Sequence, residues 1–214
     1  MTRALVLDFG GVISKTMYET HDHTESALGL PPGTLMWRGP FAPETDAPFV
    51  AMQAGEMTER EYWELRMKET GALVGENWTS FKQFVARARG ADPATIIRPE
   101  ALDAIAKAKT AGCKLAILSN ELDLFYGADF RDRLPFLAEF DLIVDATYTK
   151  ILKPDPRAFG FVTDGLGLAA ADCVFVDDQP KNLRGAVEVG MPHIQFDVTR
   201  PAESYAAALD LLLT

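Results

Sequence analysis

Residues 4–12 read Ala4-Leu5-Val6-Leu7-Asp8-Phe9-Gly10-Gly11-Val12, an apolar run that stops at a carboxylate and opens into two glycines. Four apolar residues without alternation suit a strand buried on both faces. The same signature recurs down the chain. Lys114-Leu115-Ala116-Ile117-Leu118 stops at Ser119-Asn120, and Leu142-Ile143-Val144 stops at Asp145. Val174-Phe175-Val176 stops at Asp177-Asp178, and His193-Ile194-Gln195-Phe196 stops at Asp197. Helical patterns separate most of these runs. One extends from Pro99 through Ala108, with proline at its start and Gly112 beyond its end, the usual asymmetry of helix termini. Others run from Asp155-Pro156 to near Gly165, from Pro180 to Val189, and from Ala202 to Leu213. The alternation predicts an α/β fold, a doubly wound parallel sheet with right-handed crossovers.

One stretch departs from this rhythm. Between Val12 and Pro99 no buried-strand pattern occurs, and Pro31, Pro32, Pro40, Pro43 and Pro48 mark turns. Thr58-Glu59-Arg60-Glu61 is a capping-box pattern, Thr58 as N-cap and Glu61 reaching back, ahead of a helix through Tyr62, Trp63, Leu65 and Met67. The expected organisation is a Rossmann-like core from residues 1–13 and 99–214, with an all-helical cap inserted over 14–98. A chain of 214 residues allows one to two domains. No internal repeat or low-complexity segment interrupts it.

Composition narrows the function classes. With 48% hydrophobic and 24% charged residues the chain is neither disordered nor fibrous. Cys113 and Cys173 are too few for a disulfide framework, match no metal spacing, and read as small buried hydrophobes. Lys and Arg number 21 against 31 Asp and Glu, a net charge of -10. That balance argues against nucleic acid, whose binding rests on neutralising phosphates, and against an anionic membrane surface. The apolar run before Asp8 is too short for a secretory signal, and no run approaches a membrane span. The expected location is cytoplasmic.

In open α/β sheets ligands bind beyond the carboxyl ends of the strands. Asp8, Ser119-Asn120 and Asp177-Asp178 stand at those ends, and Lys153 lies in a loop before a helix. They supply a nucleophilic carboxylate, hydroxyl and amide donors, a fixed cation and an acidic pair of metal-ligand type. That set suits displacement at a phosphorus centre.

The order DFGGV (8–12), LSN (118–120), KPDP (153–156) and VDD (176–178) resembles the haloacid dehalogenase superfamily of hydrolases. The resemblance covers essentially the whole chain, and 14–98 is similar to that family's helical cap. The stretch from VDDQPKN to VGM (176–191) is most similar to the phosphatase branch that includes the N-terminal domain of soluble epoxide hydrolase. By this resemblance Asp8 attacks the substrate and forms a covalent aspartyl intermediate. Mg²⁺ is implied, held by Asp8, the Gly10 carbonyl and Asp177, with Asp178 nearby. Ser119 and the Asn120 backbone hold the transferred group, Gly11 allows its close approach, and Lys153 stabilises developing charge. Pro154 after Lys153 selects that lysine over Lys150.

The resemblance also carries a departure. Phosphatases of this family usually place a second Asp, a general acid and base, where this chain has Gly10. Haloacid dehalogenases lack it too, and Arg38 lies near where they place a carboxylate- and halide-binding arginine. The leading expectation is a Mg²⁺-dependent phosphomonoester phosphatase acting on a small phosphorylated metabolite, as a monomer or homodimer. The alternatives are a metal-independent 2-haloacid dehalogenase and a catalytically impaired binding or regulatory protein. His21 and His23, two apart, do not share a helix face and make no metal site; the substrate side of the cap is their expected place. Trp37, Trp63 and Trp78 are expected in the cap's core, and His193 in a strand.

Overall fold

The structure, a computed structural model, describes residues 2–88, 93–120 and 122–214. Along the chain, strand β1 (Ala4–Leu7) is followed by helices α1 (His21–Leu28), α2 (Ala47–Ala54), α3 (Glu59–Leu73) and α4 (Phe81–Ala88). Then come α5 (Pro99–Thr110), β2 (Lys114–Ser119), α6 (Leu122–Tyr126), β3 (Leu142–Asp145), α7 (Ala146–Thr149) and α8 (Pro156–Leu166). The chain ends with β4 (Cys173–Asp177), α9 (Pro180–Glu188), β5 (His193–Gln195) and α10 (Pro201–Leu213). Two compact units result. Met1–Lys15, Ile96–Asp123 and Ala128–Thr214 form a sheet unit; Thr16–Thr95 with Leu124–Gly127 form a helical unit.

In the sheet unit the five strands are parallel, in the order β3-β2-β1-β4-β5. β1 lies at the centre, where the direction of winding reverses. All four of its residues are wholly buried, because helices cover both faces. Ala4 and Val6 pack with Phe159 and Val162 of α8 and with Leu183 and Ala186 of α9. Strand alternation turns Leu5 and Leu7 to the opposite face, where α5 and α10 pack on each other and on the strands. Each such side chain contributes about 1.5–3 kcal/mol by leaving water. The edge strand β5 departs from the expected two-faced burial: His193 and Ile194 are half-buried and Gln195 is exposed. It has a neighbour on one side only. Cys173 is buried in β4, but Cys113 is half-exposed, against expectation, because it stands in the turn between α5 and β2.

Prolines start α5, α8, α9 and α10 within their first turns, where a missing N–H costs nothing. Asp155 caps α8 by accepting from the Arg157 amide at 2.9 Å. An isolated antiparallel bridge joins Ser14 to Ile97 and ties the two ends of the connections together.

The helical unit has its own core of Met17, Tyr18, Leu35, Trp37, Tyr62, Met67, Trp78 and Phe84. The capping box of α3 forms as expected: Thr58 N donates to Glu61 at 2.8 Å and Glu61 N to the Thr58 hydroxyl at 3.2 Å. Trp37 and Trp78 are buried; Trp63 is half-buried, its ring 5.4 Å from that of Tyr18. Asp46 caps α2 and is paired with buried Arg66. It also accepts from Gly39 N at 3.0 Å and from the Tyr62 hydroxyl at 2.9 Å. These bonds join the 39–46 turns to α3.

His21 corrects one expectation. It does not line a substrate face but is buried, its ring edge-on to Trp37 at 4.2 Å. Burial, reinforced by the charge of Arg38, pulls its pKa down to about 4; Glu25, Asp22 and Asp46 oppose this. The folded state therefore favours the neutral ring. Stability from this group is complete above the unfolded value near 6.5 and is lost as pH falls from there towards about 4. The expected loss is about 3 kcal/mol. Denaturant melts of the parent and His21→Phe at pH 7 and pH 4 check it: the pH sensitivity of the variant should be smaller by that amount.

Candidate active site

The register of the sheet builds this site. Leu7 lies opposite Ile117 on β2 and Val176 on β4. The next residue, Asp8, therefore emerges between the ends of these strands, its amide donating to Val176 O at 2.9 Å. Ser119 ends β2 and Asp177 ends β4. Both are buried, and Asp8 is at the edge of burial at 9% exposed.

Lys153 precedes α8 and reaches into the same place. Its Nζ lies 2.9 Å from Asp8 Oδ1 and 2.7 Å from Asp177 Oδ2, and 5.3 Å from the centroid of the Phe175 ring. Lys150, by contrast, is exposed. Burial alone would lower the Lys153 pKa, but Asp177 and then Asp8 overcome it and hold the ammonium above its ordinary value. Asp8 feels the reverse balance. Burial pushes it up, Lys153 pulls it back, Asp177 pushes again, and it settles at about 7. A further cation beside Asp8 would pull it back towards its ionised form.

The two acids after β4 have different surroundings. Asp177 accepts from four protein contacts. Gln179 N at 2.8 Å and Asn182 Nδ2 at 3.0 Å reach Oδ1; Lys153 at 2.7 Å and Asn182 Nδ2 at 3.1 Å reach Oδ2. Asp178 is half-buried, with Gln179 Nε2 at 3.3 Å. Asp8, Asp177 and Asp178 each offer a carboxylate oxygen within 4.8 Å of the others, the one such group of metal-capable side chains among the described residues. Hard carboxylate oxygens are what Mg²⁺ and Ca²⁺ take, so the donor set fits such an ion.

Asn120 makes a reciprocal clamp on Lys153. Its Oδ1 accepts from Lys153 N at 2.7 Å, and its Nδ2 donates to Lys153 O at 3.2 Å. The side-chain amide of Asn120 is therefore spent on holding the lysine's backbone. That role, like the grip of Asn182 on Asp177, joins residues far apart in sequence or across a turn, and no local pattern announces it.

Gly10 and Gly11 differ in kind. Gly11 has φ +78°, and a Cβ there would stand 2.9 Å from Asp178 Oδ2, so a side chain is excluded twice over. Gly10 has φ -70° and ψ 125°, and a Cβ there would meet nothing within 4 Å. Arg38 belongs to the helical unit, exposed at the start of the short turn Gly39–Phe41. Asp8, Gly10, Gly11, Ser119, Asn120, Lys153, Asp177 and Asp178 belong to the sheet unit. His23 also lies in the helical unit, half-buried on α1.

A family model of haloacid dehalogenase-like hydrolases matches residues 2–190. The chain belongs to this family. Mouse "Acyl-CoA dehydrogenase family member 10" is 28% identical over 218 residues, covering 99% of this chain and 19% of the mouse protein. Rat "Bifunctional epoxide hydrolase 2" is 29% identical over 204 residues, covering 88% of this chain and 35% of the rat protein. The chain thus spans about a fifth and a third of these relatives. The L-2-haloacid dehalogenase RSc1362 shares the fold, with TM-score 0.62 and 19% identity over 100% of this chain and 99% of that one. Phosphatases and haloacid dehalogenases both occur among the curated family members similar to this chain. No helix among its described residues is long and apolar enough to cross a membrane.

Proposed function

We propose that this hydrolase is a Mg²⁺-dependent phosphomonoesterase acting on a small phosphorylated metabolite. The observation that carries the reading is the convergence of three carboxylates within 4.8 Å with Lys153 set between two of them. A dehalogenase needs one nucleophilic acid; a second and third beside it repel an anionic substrate unless a cation is bound. Asp8, the Gly10 carbonyl and Asp177 would hold the ion, with Asp178 nearby, and Asp177 also fixes Lys153. Bound there, Mg²⁺ supplies a counter-charge for the nucleophile and a Lewis acid for a phosphoryl oxygen.

The chain's own residues do the rest. An Asp8 carboxylate oxygen attacks phosphorus, the ester oxygen departs with its electron pair, and an aspartyl phosphate forms. Water then attacks the phosphorus of that intermediate and returns the carboxylate. Lys153 holds a point charge where negative charge gathers, and the Ser119 hydroxyl and the backbone N–H of Asn120 bind the transferred group. The helical unit serves as the cap that selects the substrate.

Gly10 favours a second reading, a 2-haloacid dehalogenase with Arg38 as its anion-binding residue, since halide departs without a proton. One assay separates the two. Aryl phosphate hydrolysis should require Mg²⁺ and vanish with a chelator, and short 2-haloacids should release no halide. Halide release in the presence of chelator, with aryl phosphate untouched, would establish the dehalogenase instead.

A further inference from the structure

No fully buried side chain among the described residues is larger than Arg98. It lies outside every motif quoted above, at the N-cap of α5. Its Nε and Nη2 both donate to Gly11 O, at 3.1 and 3.0 Å. We propose that Arg98 is a positioning residue of the nucleophile loop: by gripping the Gly11 carbonyl it fixes the peptide planes between Asp8 and Val12. The inference rests on the reading of Asp8 as nucleophile.

A turn of two adjacent glycines is the least restrained backbone a chain can have, and Gly11 has no side chain through which packing could steady it. The restraint has to come through the carbonyls. Gly11 O is held by Arg98, and the next carbonyl, Val12 O, accepts from the Tyr205 hydroxyl at 3.0 Å. One ring supports both partners. Phe196 lies 5.5 Å from the Arg98 guanidinium carbon and 5.0 Å from the Tyr205 ring. Its own amide donates to Asp177 O at 2.9 Å. The Arg98 backbone is fixed as well, donating to Ile13 O at 3.0 Å. The loop after Asp8 and the strand end carrying Asp177 are thereby tied to one buried guanidinium and one ring.

An apolar side chain would fill this volume at a smaller desolvation cost. What the guanidinium adds is direction. Two N–H groups of one rigid plane converge on a single oxygen, an arrangement that a lysine ammonium on its flexible stem does not reproduce. The carbonyl so oriented sets the direction of the Gly11–Val12 peptide. That plane fixes the far side of Gly11, whose near side stands against the Asp178 carboxylate.

The test compares the parent with Arg98→Lys and Arg98→Met in the full chain. Hydrogen exchange of the Phe9–Ile13 amides should accelerate by about tenfold or more, with the amides of β2 and β4 unchanged. On an aryl phosphate with Mg²⁺, kcat should fall about 10- to 100-fold, the scale for loss of an outer-shell partner, with KM held within about twofold. A lowered melting temperature with loop exchange and kcat both near the parent's would overturn the proposal. So would failure of both variants to fold, since the arginine would then serve the fold alone. A parent that hydrolyses no aryl phosphate would end the phosphatase reading, and the exchange comparison would still judge this one.

Discussion

The Asp8→Asn variant is expected to lose aryl phosphate turnover by roughly 10⁴-fold or more, the scale on which removal of a covalent nucleophile acts. The same change should raise metal-free stability by about 1–2 kcal/mol, as relief of a strained active site commonly does. The two effects have one cause. Asp8 is forced into a place where burial and the neighbouring Asp177 disfavour its charge, and Lys153 offsets only part of that. An amide has no charge to desolvate. Lys153 keeps Asp177 at 2.7 Å as partner, so no buried ammonium is left alone. Steady-state kinetics and denaturant melts without Mg²⁺ read the two effects separately. A variant that keeps its turnover would remove Asp8 from the reaction.

The strands were legible because burial on both faces leaves a contiguous apolar trace. β1, β2 and β4 carry it fully, the edge strand β3 only in part since Leu142 and Ile143 are half-buried, and the polar ends of these strands mark where the crevice must lie. Parallel pairing then does what sequence distance hides: it sets Leu7 beside both Ile117 and Val176 and so delivers Asp8 to Asp177. The helix starts were legible for a similar reason, since a proline or an acidic cap acts on the backbone next to it.

What was not legible depends on contacts made across the fold. Asn120 reads as a donor at a strand end, yet its amide grips the backbone of Lys153. Asp177 and Asp178 read as an acidic pair at one strand end, and the pattern does not show that Asp177 is buried and accepts from Asn182, Gln179 and Lys153 while Asp178 is half-buried. Arg98 carries no local signal of its role, and the fold buries it with its guanidinium on the Gly11 carbonyl. His21 is expected on the substrate side of the cap, and packing against Trp37 puts it in the core. In each case the local pattern fixes the element, and a distant partner fixes what the side chain does.

The Gly10→Asp variant is expected to gain activity. General acid–base assistance is worth about 10²- to 10⁴-fold, and family phosphatases usually carry an Asp at this position. The backbone there is ordinary, φ -70° and ψ 125°, and a Cβ meets nothing within 4 Å. The glycine is therefore not required by the turn, unlike Gly11, where the positive φ and the Asp178 carboxylate forbid a side chain. An Asp at position 10 enters open space at an exposed position, at little cost in strain. The gain should depend on the leaving group. An aryl oxide departs without a proton, so aryl phosphate turnover should change little. An alkoxide does not, so alkyl phosphate turnover should rise by about 10²-fold or more, and the steep dependence of rate on leaving-group pKa should flatten. Equal rates for the parent and Gly10→Asp across an aryl-to-alkyl series would mean that proton delivery does not limit this enzyme. The parent would then already have a donor for the leaving group.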